Sequence, residues 1–360
     1  MPVSAEVEYL MRNTDPPPMK LLHTLQAYRA FAALLVVGYH ARNVCAFLSV
    51  SDYGVFSSLG MAGVFFFFTL SGFILFHVHE RDFGHRERLG GFFLKRILRI
   101  YPLYVAVTLM LLPFWLFVSG FGRAYHKEFV PLLKSLLLIP QAHFPHLIPG
   151  WTLTHEMLFY AIFAAFLFSR RAGLWLMGAW IVAIAVATAG NWGQEMPARY
   201  FWHPMNLLFP LGMVAAVATK RMPALAGRTG LWVFLSGNAL FVLGLLLATT
   251  VWREVNSVLL FGGASFLILA GSLSGEVETF FRKRTFLVTL GAASYSTYLI
   301  HDPATSATAK ILEASGLLSR IPPPLFFAIL VATGVTAGLL LYRFVERPLQ
   351  AALKKMTKPA

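Results

Sequence analysis

Residues 63–76 read GVFFFFTLSGFILF and residues 174–187 read LWLMGAWIVAIAVA. Neither stretch has a polar side at any spacing, whereas a soluble helix shows one polar face and a barrel strand alternates apolar with polar residues. Runs apolar on every face and close to 20 residues long fit helices that cross a bilayer. Outward from these two, similar runs fall at 25–44, 57–78, 101–119, 150–168, 173–190, 203–219, 231–250, 256–273, 286–302 and 323–343. The composition agrees, with 57% hydrophobic and 13% charged residues and a mean hydropathy of +0.65 over 360 residues. The sequence thus predicts an all-α polytopic integral membrane protein of about ten transmembrane helices.

The apolar spans form one domain over residues 21–348. Residues 1–20, with Pro16 to Pro18, read as a mobile cytoplasmic arm, and residues 349–360 as a basic cytoplasmic tail. No signal peptide is expected, because the first apolar run starts after residue 20 and contains an arginine and a histidine. The run PLLKSLLLIP at 131–140 is too short to cross, so 120–149 is expected to form a half-inserted hairpin on the outer face. The single cysteine, Cys45, cannot form an internal disulfide.

With the N-terminus inside, 21 lysines and arginines fall in inner segments and 8 in outer ones, with Arg29 left within the first span. That asymmetry predicts that both termini are cytoplasmic. The net charge of +14 is spread over several loops and the tail, so it reads as an orientation and anionic-lipid signal, not as a nucleic-acid footprint.

Ionisable groups inside spans are costly and therefore mark function. LQAYRAFAALLVVGYHA, residues 25–41, carries Arg29 and His40. Eleven residues on a helix end about 20° past three full turns, so both side chains share one face, about 16 Å apart along the axis. That spacing suits a long ligand with an anionic head at one end and a reactive group at the other; the alternative is that Arg29 snorkels to lipid phosphate while His40 hydrogen-bonds a neighbouring helix. PGWTLTHEMLFY, residues 149–160, carries Glu156, which at a similar expected depth would orient His40 as a general base, or form with it a structural pair through which two helices recognise each other. Lys95, Arg96 and Arg99 lie just before a span, with Arg96 and Arg99 spaced to grip one phosphate, although the same charges could serve orientation alone. His77 and His79 lack a third ligand, so no metal site and no permanently bound cofactor are expected. LGAASYSTYLIHDP, residues 290–303, ends on His301, which rises above the hydroxyls that usually serve helix packing.

These residues in this order resemble the acyltransferase-3 family of integral-membrane O-acyltransferases, which includes bacterial surface-polysaccharide O-acetyltransferases. LQAYRAFAALLVVGYHA is similar to its first-helix motif, GVFFFFTLSGFIL with Ser71 to its second-helix signature, and FFLKRILRIYP with Tyr101 to its basic segment before helix three. PGWTLTHEMLFY with Trp151, LGAASYSTYLIHDP with His301, and FVERP at 344–348 match three further motifs. The resemblance implies transfer of an acyl group, usually acetyl, from cytoplasmic acyl-CoA to a hydroxyl of an extracytoplasmic polysaccharide or glycolipid. It implies that Arg29 and His40 belong to the site, that Arg96 and Arg99 contact the donor, and that Glu156 assists. Ser71, Tyr101, Trp151 and His301 are further candidates. Phe65 and Met157 stand where many members have acidic residues, and no appended esterase-like domain is expected. Acylation of a small-molecule sugar or lipid is an alternative. A transporter for a lipid-linked glycan is the alternative from another class, but the sequence has no related halves of the kind many transporters show.

Overall fold

The computed structural model describes residues 23–51, 53, 59–118, 122–247 and 254–356 and, among them, contains helices and no strands. The expected arm at 1–20 lies outside the described residues. The long helices are α1 (His23–Phe47), α2 (Leu59–His79), α3 (Leu89–Phe117), the short α4 (Phe129–Leu136), α5 (Gly150–Phe168), α6 (Arg170–Gly190), α7 (Leu208–Arg221), α8 (Arg228–Leu247) and α9 (Glu254–Gly271). They are followed by α10 (Gly275–Arg282), α11 (Thr285–Ala292), α12 (Ser294–Ala314), α13 (Pro323–Leu341) and α14 (Arg347–Met356). Among the described residues, eight helical runs are long and apolar enough to cross a membrane, one of them the run Arg199–Arg221 that ends in α7, and α9 with α10, bent by 90°, makes a ninth. The expected tail at 349–356 is part of helix α14, which starts at Arg347.

The expected span at 286–302 is corrected. The chain breaks at Ala293, and α12 runs on to Ala314 with Asp302, Pro303 and Lys310 on it. Its Ser294, Ser296, Thr297, His301 and Thr305 are buried, and the helix packs between α1 and α13. A polar face turned into the bundle needs no lipid, so this helix has the length of a span without the hydropathy of one.

α1 is the pivot of the bundle, touching α2, α10, α11, α12 and α13. Its first turn is capped from another helix. Glu278 of α10 accepts hydrogen bonds from the His23 and Thr24 backbone N–H groups, both at 3.1 Å, and from the Thr24 hydroxyl at 3.0 Å. The carboxylate satisfies orphan donors and meets the positive end of the helix dipole. Glu278→Ala is expected to cost about 1–2 kcal/mol, read as a lower melting temperature of the purified chain, with Glu278→Gln intermediate. α2 and α7 cross without side chains between them: a Cβ at Gly212 would sit 1.8 Å from the Thr69 carbonyl oxygen, and one at Gly72 1.9 Å from that of Phe209. Only glycine permits that approach.

The stretch from α4 to α5 folds back into the bundle. Tyr101 and Tyr104, near the middle of α3, donate to the carbonyls of Leu137 at 3.0 Å and Ser135 at 2.8 Å. The segment therefore reaches half-way down α3 from the end opposite the basic loop at 80–88. It is held there by a buried polar knot, in which Ser135 Oγ receives the Gln141 amide and the His146 backbone N–H, both at 3.0 Å. α5 then starts with Gly150 against the Tyr104 ring, already half-way along the bundle.

Candidate active site

The site has two tiers along the face of α1 that carries Arg29 and His40. The lower tier is a cavity of about 110 Å³ lined by Arg29, Ser71, Arg96, Arg99, Glu156 and Tyr160, with Ser294, Tyr295 and Tyr298 of α12 on its far wall. With Phe209 of α7 it brings together residues from six helices, separated in the sequence by up to 269 positions.

Arg96 is the best-defined member. It is only 8% exposed, so its charge is held away from water. One Nη donates to His79 Nε2 at 3.0 Å, and the guanidinium lies over the rings of Phe92 and Tyr160. His79 can accept because its Nδ1–H donates to Asp82 at 2.8 Å, and Asp82 is itself paired with Arg88. A chain of four groups thus fixes the plane of Arg96 from the loop surface inward, and occupies His79 in a role other than metal ligation. Among the described residues, Arg96 Nε has no hydrogen-bond partner. Arg99, one turn further on, is exposed at the cavity mouth, whereas Lys95 is exposed without lining the cavity.

Arg29 completes the cationic set and lies within electrostatic reach of Arg99, Glu156 and Glu346. Glu346, in a five-residue π-helical segment Tyr342–Glu346, accepts a hydrogen bond from Ser296. Three arginines facing two carboxylates leave the cavity with a net positive charge that a phosphate group would neutralise. Such π-turns recur at functional sites.

The upper tier is His40, Asp302 and His301. His40 Nδ1 lies 2.9 Å from Asp302 Oδ1, and the two side chains are 20% and 22% exposed, so the pair is reachable from outside the protein. The His301 ring stands edge-on to His40 at 4.7 Å between centroids. His301 is fully buried; its Nδ1 faces the Thr297 carbonyl at 3.1 Å, and among the described residues its Nε2 has no hydrogen-bond partner. Tyr298, which lines the lower cavity, lies 6.0 Å from His301 and so connects the tiers.

The expected partnership of Glu156 with His40 is corrected. Glu156 accepts hydrogen bonds from Ser71 at 3.1 Å and from Tyr160, within the arginine cavity. The cause is the folded-back segment: α5 begins half-way along the bundle, so six residues into it Glu156 is level with Arg96 and Arg99, not with His40. Asp302 takes the place beside the histidine. Two other candidates stand apart from the cavity lining. Tyr101 holds the folded-back segment, and the Trp151 ring packs edge-on against His155 at 5.8 Å.

Asp302 and Glu346 escaped the sequence reading, although each sits in a quoted motif. Asp302 directly follows His301 in LIHDP, and Glu346 is the acid of FVERP. An acidic residue at the end of an apolar run is the signal that could have singled them out.

A family model described as an acyltransferase domain matches residues 22–343. The exopolysaccharide production protein ExoZ of Rhizobium meliloti is 32% identical over 307 residues, covering 81% of this chain and 90% of that protein. The acyltransferase MdmB of Streptomyces mycarofaciens is 25% identical over 92% of both chains. A serine/alanine racemase of Enterococcus gallinarum is 28% identical over 43% of this chain and 22% of its own length. No solved structure matches. The family match spans the helices that carry Arg29, His40, Ser71, Arg96, Arg99, Glu156, His301 and Asp302: the chain belongs to the acyltransferase-3 family and is an integral-membrane acyltransferase.

Proposed function

We propose that the chain moves an acyl group, acetyl in the first instance, from cytoplasmic acyl-CoA to a hydroxyl of an extracytoplasmic polysaccharide or its lipid-linked precursor. The observation that carries this reading is the pairing of a cationic cavity with a histidine–carboxylate pair on one face of α1, about 16 Å apart. Arg29, Arg96 and Arg99 would hold the phosphates of the donor, and the extended pantetheine arm would follow α1 past Tyr298, which puts the thioester at His40. The similarity to an exopolysaccharide production protein supports a glycan acceptor. The positive charge of the loops at the Arg96 end supports a cytoplasmic position for the donor.

The chemistry follows from the hydrogen bond to Asp302. The carboxylate accepts from His40 Nδ1–H, so the lone pair is on Nε2. Nε2 takes the proton from the acceptor hydroxyl as its oxygen attacks the thioester carbon. The tetrahedral intermediate collapses with loss of the thiolate, which takes the proton back from Nε2 and leaves as free CoA. Asp302 stabilises the transient imidazolium. His301, buried edge-on against the His40 ring with its Nδ1–H donating to the Thr297 carbonyl, would hold that ring in place.

The test compares envelope glycans of cells carrying the wild-type chain, a deletion, and His40→Ala, by mass spectrometry and proton NMR for ester-linked acyl groups. The expected result is loss of the ester in both altered strains with His40→Ala still present in the membrane. An unchanged ester signal in the deletion strain overturns the glycan acceptor, and loss in the deletion alone overturns the role of His40.

A further inference from the structure

We infer that the crevice between α1 and α8 is a binding site for one anionic phospholipid, separate from the catalytic cavity. This second cavity, of about 560 Å³, is walled by Tyr28, Phe31 and Leu35 of α1, Phe241 and Leu245 of α8, and Phe280 of α10. It shares no lining residue with the arginine cavity. The polar pair within it is self-satisfied, since the Tyr28 hydroxyl donates to Asn238. The slot is therefore suited to hydrocarbon alone. Phe31 at 40% and Phe280 at 51% exposure stand at its lip, open to the surrounding bilayer.

The polar end is defined by charge. Arg284 lines the crevice and follows Arg282 and Lys283 directly in the chain; among the described residues none of the three pairs with a carboxylate. The Arg284 guanidinium is held over the Phe280 ring by a hydrogen bond from its Nη to the Phe280 carbonyl. That contact uses one of its donors and leaves the others for a phosphate diester. An apolar slot closed at one end by a pre-set cation fits an amphiphile with an acyl chain and an anionic head, and basic pockets between membrane helices favour anionic over zwitterionic lipids.

Geometry selects the resident phospholipid over an acceptor. Arg284 is at the end of the bundle where Glu278 of the preceding helix caps His23. That end is 17 residues, about 25 Å, from His40 along α1. A glycan anchored by its phosphate at Arg284 cannot present a hydroxyl there. A bound lipid instead fills the back of the helix whose front carries Arg29 and His40.

The test counts bound lipid and is independent of the acyl-transfer reading. The full chain is purified in detergent, stripped by extended washing, and titrated with phosphatidylglycerol or phosphatidylcholine under native mass spectrometry. One phosphatidylglycerol per chain is expected to bind at least tenfold more tightly than phosphatidylcholine. Arg284→Gln is expected to erase that preference, Arg284→Lys to keep most of it, and Leu35→Trp, which fills the slot, to weaken both lipids. Equal binding of the two lipids by the wild type, or an unchanged preference in Arg284→Gln, overturns the proposal. A polyprenyl-phosphate glycan co-purifying in place of phospholipid overturns the choice of occupant. Wild-type-like elution and helicity of Arg284→Gln keep its loss of preference distinct from misfolding.

Discussion

Asp302→Asn lowers kcat for acyl transfer by about a thousandfold, within the range a positioned general base contributes, and leaves the KM for acyl-CoA within about threefold. The asparagine fits the same space, but its NH₂ can donate to His40 Nδ1. The proton of the neutral ring then moves to Nε2, and the nitrogen that should accept the sugar proton is already protonated. His40→Ala produces a loss of the same order. Because the two residues act as one unit, the double variant is expected to be no slower than His40→Ala alone. Steady-state rates with purified chain, acyl-CoA and an isolated glycan acceptor measure all three. An Asp302→Asn enzyme that keeps more than a tenth of wild-type kcat would remove the carboxylate from the mechanism. Glu156→Gln provides the contrast. With Glu156 beside the arginines instead of His40, its substitution acts mainly on the donor KM.

What the sequence revealed, and what it hid, divides along one physical line. The Arg29 to His40 spacing depends on the helical repeat within a single helix, so it was readable without any knowledge of neighbours, as were the i and i+3 positions of Arg96 and Arg99. Relations between helices depend on where each helix starts in depth. The reading of Glu156 assumed that α5 begins at the membrane edge, whereas the tyrosine ties at Leu137 and Ser135 carry its first residue half-way into the bundle. That residues 131–140 are too short to cross is legible from their length, but the depth at which the segment sets the start of α5 is not. α12 was hidden for a different reason. Hydropathy averages all faces of a helix, so buried hydroxyls and imidazoles against α1 lower the mean as much as exposed ones would. Hydropathy therefore ends the span at residue 302, which makes Asp302 its last residue although it lies in mid-helix.

Arg96→Ala is the second large effect expected, and it falls on the donor. A charge-assisted hydrogen bond to a phosphate in a site screened from water is worth about 2–3 kcal/mol, or roughly 30- to 150-fold in binding. The KM for acyl-CoA is therefore expected to rise by about that factor, with kcat changed much less, because the arginine is distant from the reacting thioester. Arg96→Lys recovers little, since a single ammonium cannot both donate to His79 and present a planar fork to the ligand. His79→Phe shifts KM in the same direction by a smaller factor: the guanidinium remains, but the His79–Asp82–Arg88 chain that holds its plane is cut. Calorimetric titration of the same variants with CoA separates binding from turnover. Should Arg96→Ala bind CoA as tightly as the wild type while kcat collapses, the arginine acts on the transition state and the cavity is not the phosphate site. A parallel loss of CoA affinity and rise in KM instead ties the buried cation of α3 to the donor, and places the two ends of the reaction at the two ends of one face of α1.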